Sequence, residues 1–257
     1  MPDEPSVPGT QSIARAVRTL KLLAQSAPRG LRLVDLADEL RLARPTAHRL
    51  LKVLIAEGLL VRDTRSRRYT LGPLVFELGL ASAHQFNLRA ICAPVLERLA
   101  AETGDTSFLF VRSGSDAVCL SRIQGAFPIQ TPVVPIGSRQ PLGVNAGGLA
   151  LLSCLPADDT ERILAEIGPR LHRYGSLDVQ ELRKLCAEAR SVGYALIAGR
   201  AVPGVSALGL PIRNPKGNAV AAITVATTQA RMTDQRVSDI LPMLRRASEQ
   251  IAHLIGV

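Results

Sequence analysis

Tryptophan is absent from this 257-residue sequence and aromatic residues make up only 3% of it. Any core must therefore be packed from Leu, Val, Ile and Ala, which suits helices and small sheets. Histidine is nearly as scarce. His48, His84, His172 and His253 lie far apart and without partner motifs, so no nucleophile with its base can be assembled and an enzyme is not expected. The four cysteines, Cys92, Cys119, Cys154 and Cys186, form no C-x-x-C and have no histidine at ligand spacing, which excludes a zinc site. They read as reduced core thiols, and neither metal nor cofactor is expected. No apolar run approaches the ~20 residues of a membrane span. The opening residues 1–9, acidic and Pro-rich, do not resemble a basic-then-apolar leader. The expectation is a cytoplasmic protein with no membrane partner and a flexible tail over residues 1–10.

What the chain does have is positive charge, and it is unevenly spread. The net charge is +9. Residues 1–72 hold 13 Lys and Arg against 7 Asp and Glu, leaving 18 against 15 for the other 185 residues. A local cationic excess of this kind suits a polyphosphate partner.

Residues 12–24 place Ile13, Ala16, Val17, Leu20, Leu23 and Ala24 on one helical stripe, with Arg15, Arg18 and Lys21 opposite. After the break at residues 26–30, a second short helix over 34–40 turns Leu36, Ala37 and Leu40 inward. Arg41, Leu42 and Ala43 make a turn. Pro45, with no N–H to donate, suits the first helical position, with Arg44 as cap. From there Ala47, Leu50, Leu51 and Leu54 define a buried face ending near Gly58. Pro45, His48, Arg49 and Lys52 then point outward, with Thr46 at the border. Strand-like residues 59–62 and 69–71 follow, joined by a tip carrying Arg65, Arg67 and Arg68. Helix, turn, outward polar helix and basic hairpin, in that order, describe a winged helix-turn-helix that enters a major groove and grips flanking phosphates. The expected partner is a double-stranded DNA operator, contacted by Arg44, Pro45, Thr46, His48, Arg49, Lys52, Arg65, Arg67 and Arg68.

This segment resembles the IclR family of bacterial regulators. The resemblance is carried by S-I-A-R-A-V-R-T-L-K-L-L (12–23), L-A-D-E-L-R-L-A-R-P-T-A-H-R-L-L-K-V-L (36–54) and R-R-Y-T-L-G (67–72). Pro45 is a departure, since family members commonly carry a small polar residue there.

Gly72 and Pro73 open a helix, with Phe76, Leu78 and Leu80 apolar, that runs to about Gln85. A second, capped by Asn87, continues to Gly104 with a kink at Pro94. Both read as a linker and dimerisation region, residues 73–104. Family resemblance implies a homodimer, with a tetramer on DNA left open. Beyond residue 104 the pattern becomes strands at 106–112, 117–123, 129–136, 194–198, 205–212 and 219–226. Helices at 146–154, 158–167 and 179–192 intervene, and a last helix at 234–255 is capped by Thr233 and broken or kinked at Pro242. The fold class expected is α+β: the winged domain (11–72), the helical linker, and an effector domain (105–257) with an antiparallel sheet. This second domain resembles the GAF-like effector domain of the IclR family through V-P-I-G-S-R-Q-P-L (134–142), N-A-G-G-L-A-L-L (145–152), S-V-G-Y-A (191–195) and P-G-V-S-A-L-G-L-P-I (203–212).

The resemblance places a ligand between the sheet and a short helix start, here Asn145, Ala146, Gly147 and Gly148. The first amides of a helix lack internal partners and point their dipoles at an anion, although tight helix–sheet packing asks for the same glycines. Arg200 stands where the family loop is often acidic, and could pair with a carboxylate. Ala207, Leu208, Thr224 and Ala226 match cavity positions. The implied effector is a small, partly apolar organic acid. The rival reading is a thiol-based redox sensor of the same architecture, through Cys119 or Cys154, which no basic neighbour or second thiol in the sequence supports.

Overall fold

The computed structural model describes residues 10–82 and 88–255, which form two compact units. The tail before residue 10, the expected end of the first linker helix at Gln85 and its expected neighbouring cap Asn87 lie outside the described residues.

In the first unit, α1 (Gln11–Gln25), α2 (Leu33–Leu40) and α3 (Arg44–Ala56) precede β1 (Leu60–Arg62), β2 (Tyr69–Leu71) and α4 (Pro73–Ser82). Leu23, Leu36, Leu40, Leu51, Leu54, Leu60 and Tyr69 meet in one core. The sequence stripe on α1 is only half used, because Ile13 and Val17 remain exposed while Thr19 and Leu23 are buried. Arg41 ends α2 in the left-handed conformation, φ 53°, and its amide and that of Leu42 bond back to Asp38 and Ala37 carbonyls. The expected start of α3 is corrected by one residue. Ala43 is the cap, its carbonyl accepting from the amides of Thr46 and Ala47, so Arg44 is the first helical residue and Pro45 the second. Proline is tolerated there because the first amides of a helix have no partner to lose.

β1 and β2 pair antiparallel with Arg62 opposite Tyr69, and Tyr69 also exchanges backbone hydrogen bonds with Leu31. The hairpin is thereby tied to the chain entering α2.

The second unit is a six-stranded antiparallel sheet of β3 (Thr106–Ser113), β4 (Asp116–Ile123), β5 (Arg139–Pro141), β6 (Ala195–Ala198), β7 (Val205–Arg213) and β8 (Ala219–Thr228), in the order β5-β4-β3-β8-β7-β6. Strand alternation sends side chains to two cores. Leu109, Leu208, Leu210, Ile212, Ile223 and Val225 pack with α5 (Leu88–Thr103) and α9 (Asp234–Ile255). Phe108, Phe110, Ala222 and Ala226 face the other way, toward α6 (Ala146–Ser153), α7 (Ala157–Ile167) and α8 (Val179–Val192). Residues 146–152 of α6 are all buried, as suits a helix apolar all round.

Several expectations are revised. Helix α5 is not a connector: Cys92, Val95, Leu96 and Leu99 are buried in the second unit's core, leaving α4 as the only described helix of the expected linker. Residues 129–136 form no strand, because Pro128, Pro132 and Pro135 remove ladder donors; a short β5 follows instead. Pro242 does not end the last helix, which runs from Asp234 to Ile255. Thr233 caps it, accepting from the Arg236 amide at 3.2 Å. The Asp105 carboxylate, 1% exposed, clamps this end of the unit through Arg231 at 3.0 Å, Arg236 at 2.8 Å and the Thr227 hydroxyl at 2.8 Å. A turn of 3-10 helix over Gly168–Arg173 had no signal in the sequence.

Candidate DNA-binding face and ligand cavity

In the first unit the inward residues of α3 are Ala47, Leu51 and Leu54. Residues 45, 48, 49 and 52, spaced i, i+3, i+4 and i+7, therefore share the opposite face, and Pro45, His48, Arg49 and Lys52 are all exposed. Arg44 is exposed beside them and Thr46 is half-buried. Among the described residues no hydrogen bond or ion pair engages the side chains of His48, Arg49 or Lys52. At the hairpin tip Arg65 and Arg67 are exposed, Arg67 in the left-handed region at φ 56°. The tip is shaped by the Asp63 carboxylate, which accepts from the Ser66 amide at 2.6 Å. That bond holds the Asp63 carboxyl below its usual range.

Arg68 differs from its neighbours. It is half-buried, and its guanidinium donates to the Gly30 carbonyl at 2.9 Å, bracing the hairpin against the turn before α2. Arg62, which sequence reasoning passed over, stacks its guanidinium 5.6 Å from the centroid of the Tyr69 ring; the signal was the register that sets the two opposite each other.

In the second unit a cavity of about 530 Å³, counting its open mouth, lies between the sheet and the start of α6. Of the expected effector residues, the structure brings Asn145, Ala146, Ala207, Thr224 and Ala226 to its wall. Four others are absent from it. Leu208 is on the opposite face of β7, fully buried against α5 and α9, because adjacent strand residues alternate faces. Gly147 is packed under Phe110, where a Cβ would come within 2.3 Å of the ring, and Gly148 lies against Gly143 and Ala117. Arg200 pairs with Glu181 in the first turn of α8, so the acid that answers it comes from the chain itself.

The cavity also has walls that the sequence reading missed. Phe108 and Phe110 stack with centroids 5.8 Å apart and rings inclined 23°, and both line it together with Tyr174 and Gln140. Burial raises the Tyr174 phenol, keeping it a neutral donor. Three of the chain's eight Phe and Tyr residues thus surround one space. Two phenylalanines two apart on a strand, in so aromatic-poor a chain, were the available signal. No charged side chain lines it among the described residues. Asn145 caps α6 by accepting from the Gly148 amide at 2.7 Å and donates to Gln140 at 2.8 Å. The preceding amides, those of Ala146 and Gly147, have no partner within the helix.

Burial raises all four thiols, Cys92 and Cys119 to about 11. Cys154 does have a basic neighbour, the Arg213 guanidinium at 3.1 Å, but desolvation outweighs it.

A winged helix-turn-helix unit, followed in the chain by a separate sheet unit that carries a cavity, defines a DNA-binding transcription regulator with a sensing domain. The chain matches the IclR helix-turn-helix domain over residues 12–64 and the C-terminal domain of bacterial IclR regulators over residues 80–253. It belongs to the IclR family of transcriptional regulators, and it is not an enzyme. It is 30% identical to the regulator BhcR of Paracoccus denitrificans, across 95% of this chain and 87% of that protein. An IclR regulator from Alicyclobacillus acidocaldarius superimposes with a TM-score of 0.78 at 27% identity, covering 98% of this chain and 100% of that one. An IclR homologue from Microbacterium hydrocarbonoxydans, solved with 4-hydroxybenzoate, gives 0.71 at 24% identity, covering 95% and 98%. No described helix is long and apolar enough to cross a membrane.

Proposed function

We propose that this regulator binds a double-stranded DNA operator as a homodimer in the cytoplasm, and that a small, partly apolar carboxylic acid held in the second unit's cavity modulates that binding. The observation that carries the effector reading is the cavity itself: predominantly apolar walls, the stacked rings of Phe108 and Phe110, and a few hydrogen-bonding groups from Gln140, Asn145, Tyr174 and Thr224, the usual make-up of a small-molecule site. The Ala146 amide at the start of α6, on the cavity wall, supplies the anion site. Thr224 and Gln140 are placed to orient the acid, and Phe108, Phe110 and Tyr174 suit a flat ring. The Microbacterium homologue solved with 4-hydroxybenzoate supports an acid of this size. Arg200, engaged by Glu181, is left out of the ligand site. On DNA, Pro45, His48, Arg49 and Lys52 face the major groove, while Arg44, Thr46, Arg65 and Arg67 meet phosphates.

The test uses the full chain and DNA enriched by it from random duplexes. Operator affinity is followed while benzoate, 4-hydroxybenzoate and short aliphatic acids are titrated. An acid should shift that affinity in the natural protein and have no effect in Ala207→Phe, whose ring fills the cavity, with operator binding otherwise retained. An equal response in Ala207→Phe would move the effector site elsewhere.

A further inference from the structure

Over the first two turns of α3, residues 44–52, the outward face is polar except at one position, and exposed apolar side chains return only at its far end, from Val53 to Ala56. His48, Arg49 and Lys52 are exposed and unengaged, and beside them at the second helical residue stands the hydrocarbon ring of Pro45, equally exposed. The helix start explains why a proline is tolerated there but not why one is present. An acidic residue would serve better against the helix dipole, and the ring covers no part of the first unit's core.

We infer that Pro45 reads the 5-methyl group of a thymine and so fixes the base at one position of each operator half-site, an inference resting on the proposal that α3 enters the major groove. Residues at the start of a recognition helix reach base edges. Pro45 has no hydrogen-bonding side chain and no N–H, so it can neither donate to guanine or adenine N7 nor accept from a cytosine or adenine amino group. The thymine methyl is the apolar feature among the base edges of the major groove. Opposite any other edge the ring would strip water from a polar group and return nothing. Arg49 lies one helical turn further on, roughly 6 Å along the axis, which is about two base-pair steps at 3.4 Å each. The thymine therefore sits within about two steps of the base read by Arg49, for which guanine is the commonest partner.

The experiment needs no altered protein at first. Duplexes enriched from a random pool by the full chain are remade with deoxyuridine in place of thymidine, one position at a time, which removes the methyl and nothing else. One thymine per half-site should lose roughly three- to tenfold in affinity on this change, as burying a single methyl group implies. In Pro45→Ser the same change should have no effect, while non-specific binding and the helical circular dichroism signal are kept. Enriched DNA in which no thymine responds to loss of its methyl, or a response undiminished in Pro45→Ser, would overturn the assignment while leaving operator binding intact. Failure to enrich any sequence would overturn the operator reading, and this assignment with it.

Discussion

Three arginines that look alike in the sequence have different work. Arg67 is exposed at the hairpin tip, and Arg67→Ala should weaken all DNA alike and reduce the slope of log affinity against log salt by about 0.9, without changing the melting temperature. Arg68 holds the Gly30 carbonyl, so Arg68→Ala should cost stability, about 1–2 kcal/mol for a lost charged hydrogen bond. Thermal melting checks this, and an unshifted midpoint would return Arg68 to the DNA-contacting set. Arg49, exposed on the outward side of α3 and proposed to meet a base, should lose about 1–3 kcal/mol on its selected site when changed to Ala and much less on unrelated DNA. A uniform loss in filter-binding or anisotropy titrations would make it a phosphate contact.

At the scale of elements, α4 presents Phe76, Leu78 and Leu80 to solvent, with Phe76 69% exposed. Such a surface on a short helix asks for a partner, and a second copy is the one proposed. Phe76→Asp should give monomers by sedimentation and much weaker operator binding, since each winged unit alone reads a half-site; a dimeric variant would place the contact elsewhere. Helices and hairpins of the winged unit were legible in the sequence because period, cap and turn residues agree there. The run at 129–136 was not, because β-branched residues suggested a strand while Pro132 and Pro135 within it, and Pro128 just before it, denied it the donors. Leu208 was misplaced by phase alone, one residue being the difference between two cores. Gly147 shows the remaining limit: a glycine at a helix start has the same letter whether it admits a ligand or a phenyl ring, and here the ring of Phe110 occupies the space. Gly147→Val, which would probe a ligand contact had the space been open, instead tests packing and should lower stability by about 1–3 kcal/mol.

For the molecule as a whole, the thiols give a pH dependence with a definite sign. Cys92 and Cys119 ionise near 11 in the folded chain rather than near 9. Between those values the unfolded chain has already released protons that the folded chain keeps, so stability falls as pH rises. Their contribution should be complete below pH 9 and lost progressively up to 11. Urea midpoints measured across this range should decline, and the decline should be shallower in a Cys92→Ala, Cys119→Ala protein. An identical decline would show that other groups govern it. The same burial argues against peroxide sensing by these residues.

Strand β3 has a consequence for how the second unit can respond to being filled. Its residues 108 and 110 are walls of the cavity, while Leu109 between them packs on the far side with α5, and the Ser107 hydroxyl donates to the Leu96 carbonyl of that helix at 3.0 Å. Occupant and helix are thus never more than the thickness of one strand apart. An occupant seated against Phe108 and Phe110 would press on the same strand whose Leu109 and Ser107 touch α5, so a strain on the cavity wall would have a path to that helix only one strand deep.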